Sequence, residues 1–231
     1  MSQLFFDFYR TNSNNLENYS DFIINTDNQI AHSNVKKFFE FTNFTHHPFK
    51  NLILQGEACC GKTHLLKFLT RQYASQSVIN FINPQIINDG NESSINFLDY
   101  FQKDQFYIID DLNNIINEAN LLHLINCAHE AQAMLLLTWR LNKVFNIKDL
   151  NSRLKNFNIA QINPTSIHNL KIIFANILAR HQLNLESTII DYIFEKITPK
   201  YSEIVYAVKK IEFYCGENSQ KISLTTIKKI F

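Results

Sequence analysis

Residues 51–66 read Asn51-Leu-Ile-Leu-Gln-Gly56-Glu-Ala-Cys-Cys-Gly61-Lys62-Thr63-His64-Leu-Leu66, and they decide the fold. Gly56 to Thr63 fits the pattern G-x-x-x-x-G-K-[ST] at every fixed position. The apolar run before Gly56 predicts a buried strand, and the spaced leucines after Thr63 predict an amphipathic helix. The chain contains only four glycines, and two of them fill these slots. The stretch therefore predicts a strand, a phosphate-binding loop and a helix.

Each residue type in this loop has a chemical reason. Glycine torsions at Gly56 and Gly61 let backbone N–H groups point inward at phosphate oxygens. Lys62 supplies a charge to the β- and γ-phosphates, and the Thr63 hydroxyl is a ligand for Mg²⁺. The positive end of the following helix adds to this attraction. The predicted contacts to ATP or ADP are Gly56, Glu57, Ala58, Cys59, Cys60, Gly61, Lys62, Thr63 and His64.

A second acidic motif lies further along the chain, at Phe106-Tyr-Ile-Ile-Asp110-Asp111. Four apolar residues followed by a carboxylate form the Walker B pattern, in which Asp110 holds Mg²⁺ through water. Asp111 stands where many ATPases carry a glutamate that activates water. A shorter carboxylate can polarise water less favourably, so catalysis by Asp111 and its absence both stay open.

The remaining sequence alternates between predicted strands and helices, which indicates a parallel α/β sheet. Strands are predicted at 51–55, 78–82, 106–110, 134–138 and 159–162, and helices at 30–44, 63–73 and 115–132. After Pro164 only helical patterns follow, at 167–182, 186–197, 203–215 and 225–231. The sequence thus predicts an N-terminal arm (1–18), an α/β domain (19–163) and a helical domain (164–231).

Composition narrows the functional classes. The chain has 231 residues, 45% of them hydrophobic, with a formal net charge of +1. It contains no apolar run of 18 residues, and its first residues lack the pattern of a signal peptide, so we expect a cytoplasmic protein without membrane contact. A neutral charge balance gives no support for direct DNA binding, and Lys228-Lys229 is more typical of a solvated helix face.

Four stretches together resemble the AAA+ ATPases of the DnaA family. They are the phosphate loop with His64-Leu-Leu66, the Walker B stretch Ile108-Ile-Asp-Asp-Leu112, the stretch Asp149-Leu-Asn-Ser-Arg153-Leu154, and residues 19–31. The resemblance implies a P-loop AAA+ parallel-sheet sandwich with a small C-terminal all-helical lid. It also implies that Phe22 and Ile23 cover the adenine ring.

The same resemblance assigns roles to three further residues. Arg153 is similar to the arginine finger, which points at a nucleotide held by a neighbour; the alternative is a surface ion pair with Asp149. Thr138 resembles sensor 1; the alternative is a β-branched residue that packs in a strand. Ser202 occupies the position of the sensor 2 arginine, with Lys200 the only nearby cation. A serine supplies no charge to the γ-phosphate, so we expect weak or no ATPase activity of the chain itself.

The first residues, Gln3-Leu4-Phe5-Phe6-Asp7-Phe8, are similar to peptides that bind the DNA polymerase sliding clamp. Gln3 would anchor such a peptide while Leu4, Phe6 and Phe8 enter an apolar pocket; the alternative is packing on the chain's own domain. The resemblance implies a clamp-bound regulator that promotes hydrolysis of the ATP on the DnaA initiator and meets DNA only indirectly; it allows a homo-oligomer, and the sequence leaves the oligomeric state open. The alternative is a self-hydrolysing ATPase such as a helicase loader. A DNA-binding initiator is disfavoured by the neutral charge and by the absence of a DNA-binding region after the lid.

Overall fold

The computed structural model describes residues 22–40, 50–89, 97–218 and 222–231. The predicted clamp-binding residues Gln3, Leu4, Phe6 and Phe8 lie outside the described residues. The described residues up to Asn163 form one compact unit, and Pro164–Phe231 form a second.

The first unit contains a five-stranded sheet in which every pairing is parallel. Its strands lie in the order β2-β3-β4-β1-β5, so the strand before the phosphate loop is flanked by β4 and β5. The strand bounds are β1 Asn51–Gly56, β2 Ile79–Phe81, β3 Phe106–Ile109, β4 Met134–Trp139 and β5 Asn158–Ile162.

Both faces of the sheet are buried along its inner strands β1, β3 and β4, as expected for parallel strands covered by crossover helices, whereas the edge strand β5 is exposed at Asn158, Ile159 and Gln161. Successive strand residues alternate between faces, so Leu52 and Leu54 enter one core while Ile53 enters the other. The first core is closed by helices α1 Gln29–Glu40 and α2 Lys62–Tyr73. The second is closed by α3 Pro84–Asp89, α4 Glu118–Glu130 and α5 Lys148–Leu154. The unit is therefore a three-layer sandwich.

The second unit is all-helical, with α6 Ile167–Arg180, α7 Ser187–Lys196, α8 Tyr201–Asn218 and α9 Leu224–Ile230. Its own core contains Phe174, Ile193, Ile204 and Ile211, all fully buried. Among the helices that the structure describes, none is both long and apolar enough to cross a membrane.

All five predicted strands are present, within two residues of the predicted bounds at either end. The predicted helix over 30–44 begins at Gln29 and is described as far as Glu40. Ile30, an apolar residue in the first turn of this helix, is 65% exposed, whereas its neighbour Ala31 is buried. The pattern also missed α3 and two short 3₁₀ helices, Phe97–Tyr100 and Leu112–Asn114, because segments this short carry too few positions for a period to be visible.

Candidate functional site

The candidate site lies at the carboxyl edge of the sheet. In a parallel sheet the strand ends meet at one edge, which is where ligands bind in open α/β folds. The phosphate loop follows β1, Asp110 follows β3, and Thr138 is the fifth residue of β4, which lies between them. The strand order therefore brings together three motifs that are far apart in sequence.

Asp110 is the centre of a hydrogen-bond chain across this edge. Thr63 Oγ1 donates to Asp110 Oδ2 over 2.6 Å, and Thr138 Oγ1 donates to Asp110 Oδ1 over 2.6 Å. The backbone N–H of Asp111 in turn donates to Thr138 Oγ1 over 2.8 Å. Each oxygen of the carboxylate thus accepts a hydrogen bond from a hydroxyl group, which fixes the orientation of the half-buried Asp110 side chain.

The two loop glycines are needed for different reasons, and the torsion predicted for Gly56 is wrong. Gly61 has φ 98°, a left-handed conformation that side chains rarely adopt, so its predicted torsion is found. Gly56 has no positive φ; instead, a Cβ there would lie 2.6 Å from Cys60 Sγ and 2.9 Å from the Ile162 carbonyl oxygen. Gly56 is required by space between β1, the loop and β5.

The Lys62 ammonium lies across the mouth of the loop. Its Nζ donates to the carbonyl oxygens of Gly56 at 2.9 Å and Glu57 at 2.7 Å. Cys60 Sγ lies 3.8 Å from the same nitrogen. Burial raises the pKa of the Cys60 thiol despite this neighbouring charge, so the thiol stays protonated near neutral pH. Cys59, by contrast, is exposed and has φ 60°.

Asp111 has φ 63° and ψ 67° and begins the 3₁₀ helix Leu112–Asn114. Its carboxylate accepts a hydrogen bond from Asn113 Nδ2, and Asn113 Oδ1 accepts from the backbone N–H of Arg140. The side chain of Asp111 is thus engaged in its own turn, whereas the Asp110 side chain joins Thr63 and Thr138. The two adjacent carboxylates differ in what they contact, which the sequence did not indicate.

Phe22 lies beside the loop within an aromatic cluster. Its ring meets the ring of His64 edge-on with centroids 5.3 Å apart, and a Cβ on Gly61 would stand 3.7 Å from it. The rings of His32 and Phe68 lie 6.5 and 6.0 Å from Phe22. Phe22 and His64, predicted nucleotide contacts from distant parts of the sequence, therefore pack against each other.

The segment that carries Phe22 and Ile23 is held by Asn28, a residue that sequence reasoning did not single out. Asn28 is 8% exposed, its Nδ2 donates to the Ile23 carbonyl over 2.9 Å, and its Oδ1 accepts from Asn25 N over 2.9 Å. The Asn163 N–H donates to Asp27 O over 3.0 Å, which ties this segment to the end of β5. In the sequence, Asn28 is recognisable only as a polar residue just before a helix, a position typical of a helix cap. That pattern does not indicate that Asn28 holds the segment with Phe22 and Ile23.

Arg153 lies on the exposed face of α5, while Leu150 and Leu154 on the opposite face are buried in the core. Within the described residues no carboxylate forms an ion pair with Arg153, so the alternative of a pair with Asp149 is not observed. In the second unit, Ser202 is exposed in the first turn of α8, and Lys200 precedes that helix.

A five-stranded parallel sheet of this order, with a phosphate loop after its first strand and a helical unit after its last, defines the AAA+ type of P-loop fold. More particularly, it is a DnaA-like AAA+ fold. Domain III of the Thermotoga maritima replication initiation protein DnaA superposes with TM-score 0.71, at 17% identity, covering 92% of this chain and 94% of that one. DnaA of Aquifex aeolicus bound to AMPPCP superposes with TM-score 0.67 at 20% identity, covering 87% and 65%.

Comparison of the sequence with curated proteins also finds DnaA proteins. The chromosomal replication initiator protein DnaA of Buchnera aphidicola subsp. Cinara cedri is 25% identical over 228 residues, which are 92% of this chain and 52% of the relative. DnaA of Sulfurimonas denitrificans is 24% identical over 210 residues, covering 85% and 48%. The chain thus spans about half the length of the curated relatives it matches. No protein-family model matches the chain.

Proposed function

We propose that this chain is a nucleotide-binding AAA+ regulator of chromosome replication, similar to Hda, the regulatory inactivator of DnaA. In this proposal it binds ADP or ATP, attaches to the sliding clamp, and stimulates hydrolysis of the ATP held by the DnaA initiator. The observation that carries the nucleotide site is the hydrogen-bond chain from Thr63 through Asp110 to Thr138 at the mouth of the phosphate loop.

The residues at this mouth fit Mg²⁺. The Thr63 hydroxyl and the Asp110 carboxylate are oxygen ligands, which Mg²⁺ prefers, and their oxygens are already 2.6 Å apart. When bound, Mg²⁺ would be held by Thr63 and Asp110 and would supply positive charge against the phosphates. Thr138 keeps the Asp110 carboxylate oriented toward this position, Lys62 neutralises phosphate charge from the loop side, and Phe22 covers the loop beside Gly61.

Two features favour the proposal that the chain acts on a nucleotide bound to a partner protein. They count against the alternative, in which the chain rapidly hydrolyses its own ATP. The carboxylate of Asp111 is bonded to Asn113, which leaves it a less available base. Arg153 is exposed and, among the described residues, makes no ion pair, so its guanidinium is available to a γ-phosphate in a neighbouring protein. The similarity to DnaA over 92% of the chain supports that initiator as the neighbour.

The nucleotide site is tested by titration calorimetry with ADP and ATP in the presence of Mg²⁺. We expect Lys62→Ala to weaken binding about tenfold or more, because a hydrogen bond to a charged group contributes about 1.5–3 kcal/mol. Lys103→Ala is the matched control, since Lys103 is exposed and precedes β3 at the opposite edge of the sheet. Equal affinities for both variants and the unchanged chain would refute the site.

The regulatory role is tested by measuring hydrolysis of DnaA-bound ATP with the clamp loaded on DNA. We expect stimulation by the unchanged chain, loss of stimulation with Arg153→Ala, and retention with Lys155→Ala, a nearby exposed cation. Arg153→Ala should keep its own nucleotide affinity. A chain that instead hydrolyses ATP in response to the replicative helicase, and ignores the clamp, would favour the helicase-loader alternative.

Clamp attachment rests on the sequence of residues 3–8 alone and is tested separately. A peptide of residues 1–12 should retain the clamp in a pull-down, and the double substitution Leu4→Ala with Phe8→Ala should abolish retention. Failure of both the peptide and the full chain to bind the clamp would remove this part of the proposal without affecting the nucleotide site.

A further inference from the structure

Helix α5 is short, and it carries Arg153 on its outer face. Leu150 and Leu154 bury the inner face, and Phe145 and Ile147 pack against the same core just before the helix. No side chain caps the N-terminus of this helix, because its N-cap residue is Ile147. The start of the helix therefore takes its hydrogen-bond acceptor from another source, outside α5 itself.

That source is the carboxylate of Glu118. Its Oε2 accepts hydrogen bonds from the backbone N–H groups of Asn146 over 2.7 Å and Ile147 over 2.9 Å, and its Oε1 accepts from Asn146 Nδ2 over 3.0 Å. Three N–H groups thus converge on one carboxylate, and bonds to an ionised acceptor are stronger than neutral ones. The negative charge of Glu118 near the N-terminus of α5 is also attracted to the positive end of the helix dipole.

Glu118 itself stands on a rigid base, the first turn of α4. Asn117 caps that helix by accepting from Asn120 N over 3.0 Å. Asn120 is 2% exposed, and its Nδ2 donates to the Ile87 carbonyl over 2.9 Å, which ties the turn to α3. The bonds to Glu118 therefore connect the turn before α5 to α4 and, through Asn120, to α3.

A second set of bonds acts only within the loop and helix. Asn151 Nδ2 donates to the carbonyl oxygens of Phe145 over 2.7 Å and Ile147 over 3.0 Å. These bonds shape the turn into α5 but connect it to no other element. The bonds to Glu118 are the ones that join this turn to α4.

We infer that Glu118 is a positioning residue for Arg153, and the inference rests on the proposed function. From Ile147 to Arg153 the helix rises about 9 Å. If the helix tilts about its first turn, Arg153 moves sideways by the tilt angle multiplied by this length. An arginine finger acts only when it is aligned with the γ-phosphate, and small displacements lower the rate strongly. Glu118 touches neither nucleotide nor partner; it acts through the orientation of α5.

The test uses the full chain in the clamp-dependent assay of DnaA–ATP hydrolysis. Glu118→Ala should lower the maximal stimulated rate about tenfold or more, while its own nucleotide affinity stays unchanged. Glu118→Gln should retain part of the stimulation, because its amide oxygen can still accept from the backbone N–H groups of Asn146 and Ile147, without the negative charge. Glu130→Ala, an exposed glutamate at the other end of α4, is the matched control and should behave like the unchanged chain.

A double-mutant cycle separates this role from a general loss of structure. If Glu118 acts through Arg153, then Glu118→Ala adds no further loss in an Arg153→Ala background. Full stimulation by Glu118→Ala, or an additional loss in the Arg153→Ala background, would overturn the inference. So would a fall in nucleotide affinity that matches the fall in stimulation.

Hydrogen exchange gives a readout that is independent of DnaA. Glu118→Ala should speed exchange of the Asn146 and Ile147 amides, whose acceptor is removed, while the amides of β1 and β4 keep their rates. Unchanged exchange at these two amides would overturn the inference. If Arg153→Ala leaves stimulation intact, the proposed function fails, and the exchange experiment alone then decides whether Glu118 holds α5.

Discussion

The hydroxyl of Thr138 offers a sharp test of how the candidate site is held together. Thr138 is fully buried in β4, donates to Asp110 Oδ1 over 2.6 Å and accepts from Asp111 N over 2.8 Å. Thr138→Val keeps the branched shape of the side chain and removes only the hydroxyl. Both bonds are then lost, and the Asp111 N–H loses its acceptor.

The expected loss of stability in Thr138→Val follows from the two hydrogen bonds that the hydroxyl makes. A hydrogen bond to a charged group contributes about 1.5–3 kcal/mol, and the lower end applies here because Asp110 is half-buried and keeps its bond to Thr63. The partly accessible Asp111 N–H adds about 1 kcal/mol. We therefore expect Thr138→Val to lower the free energy of unfolding by about 2–3 kcal/mol. Thr138→Ser retains the hydroxyl and loses one methyl group, which costs about 1 kcal/mol.

Urea unfolding monitored by tryptophan fluorescence measures this difference, because the chain's one tryptophan, Trp139, is 7% exposed and directly follows Thr138. Calorimetry in the same variants should show weaker Mg²⁺-dependent nucleotide binding for Thr138→Val than for Thr138→Ser. The opposite order of stability, with the serine variant less stable than the valine variant, would refute the reasoning. It would mean that Thr138 serves the strand through its branched shape alone.

Three further results are expected. Gly56→Ala should lower stability and abolish nucleotide binding, because the new Cβ would lie 2.9 Å from the Ile162 carbonyl; thermal unfolding and calorimetry check this, and an unperturbed variant would contradict it. Gly61→Ala places the new Cβ 3.7 Å from the Phe22 ring, an ordinary van der Waals contact, so its cost is the backbone strain of φ 98°, about 1–2 kcal/mol by urea unfolding. Burial, and next the charge of Lys36, lower the pKa of His32; the unfolded chain then binds a proton at a higher pH than the folded chain, so stability falls as pH drops below 6.5. An NMR titration that places the folded pKa at or above 6.5 would contradict this last expectation.

The sequence determined the elements whose signals are local. The apolar run before Gly56, the spaced leucines after Thr63 and the four apolar residues before Asp110 each fix a strand or helix by their own periodicity, because burial of one face or both is written into neighbouring positions. The strand and helix alternation up to Asn163, and the purely helical patterns after it, followed from the same signals.

The tertiary structure decided what each residue contacts. Asp110 meets Thr63 and Thr138, which are 47 and 28 residues away, because β4 lies between β1 and β3, and no local pattern encodes that order. Glu118 and Asn146, 28 residues apart, read as ordinary surface residues in the sequence.

Gly56 also shows the difference between what the sequence determines and what the tertiary structure determines. The motif predicted glycine there through its torsion, whereas the structure shows that the side chain of Cys60 and the backbone of β5 leave no room for a Cβ. Torsional preference belongs to one residue, so a sequence can express it. Space between elements depends on how the strands pack against each other, and the pairing of β1 with β5 settles it.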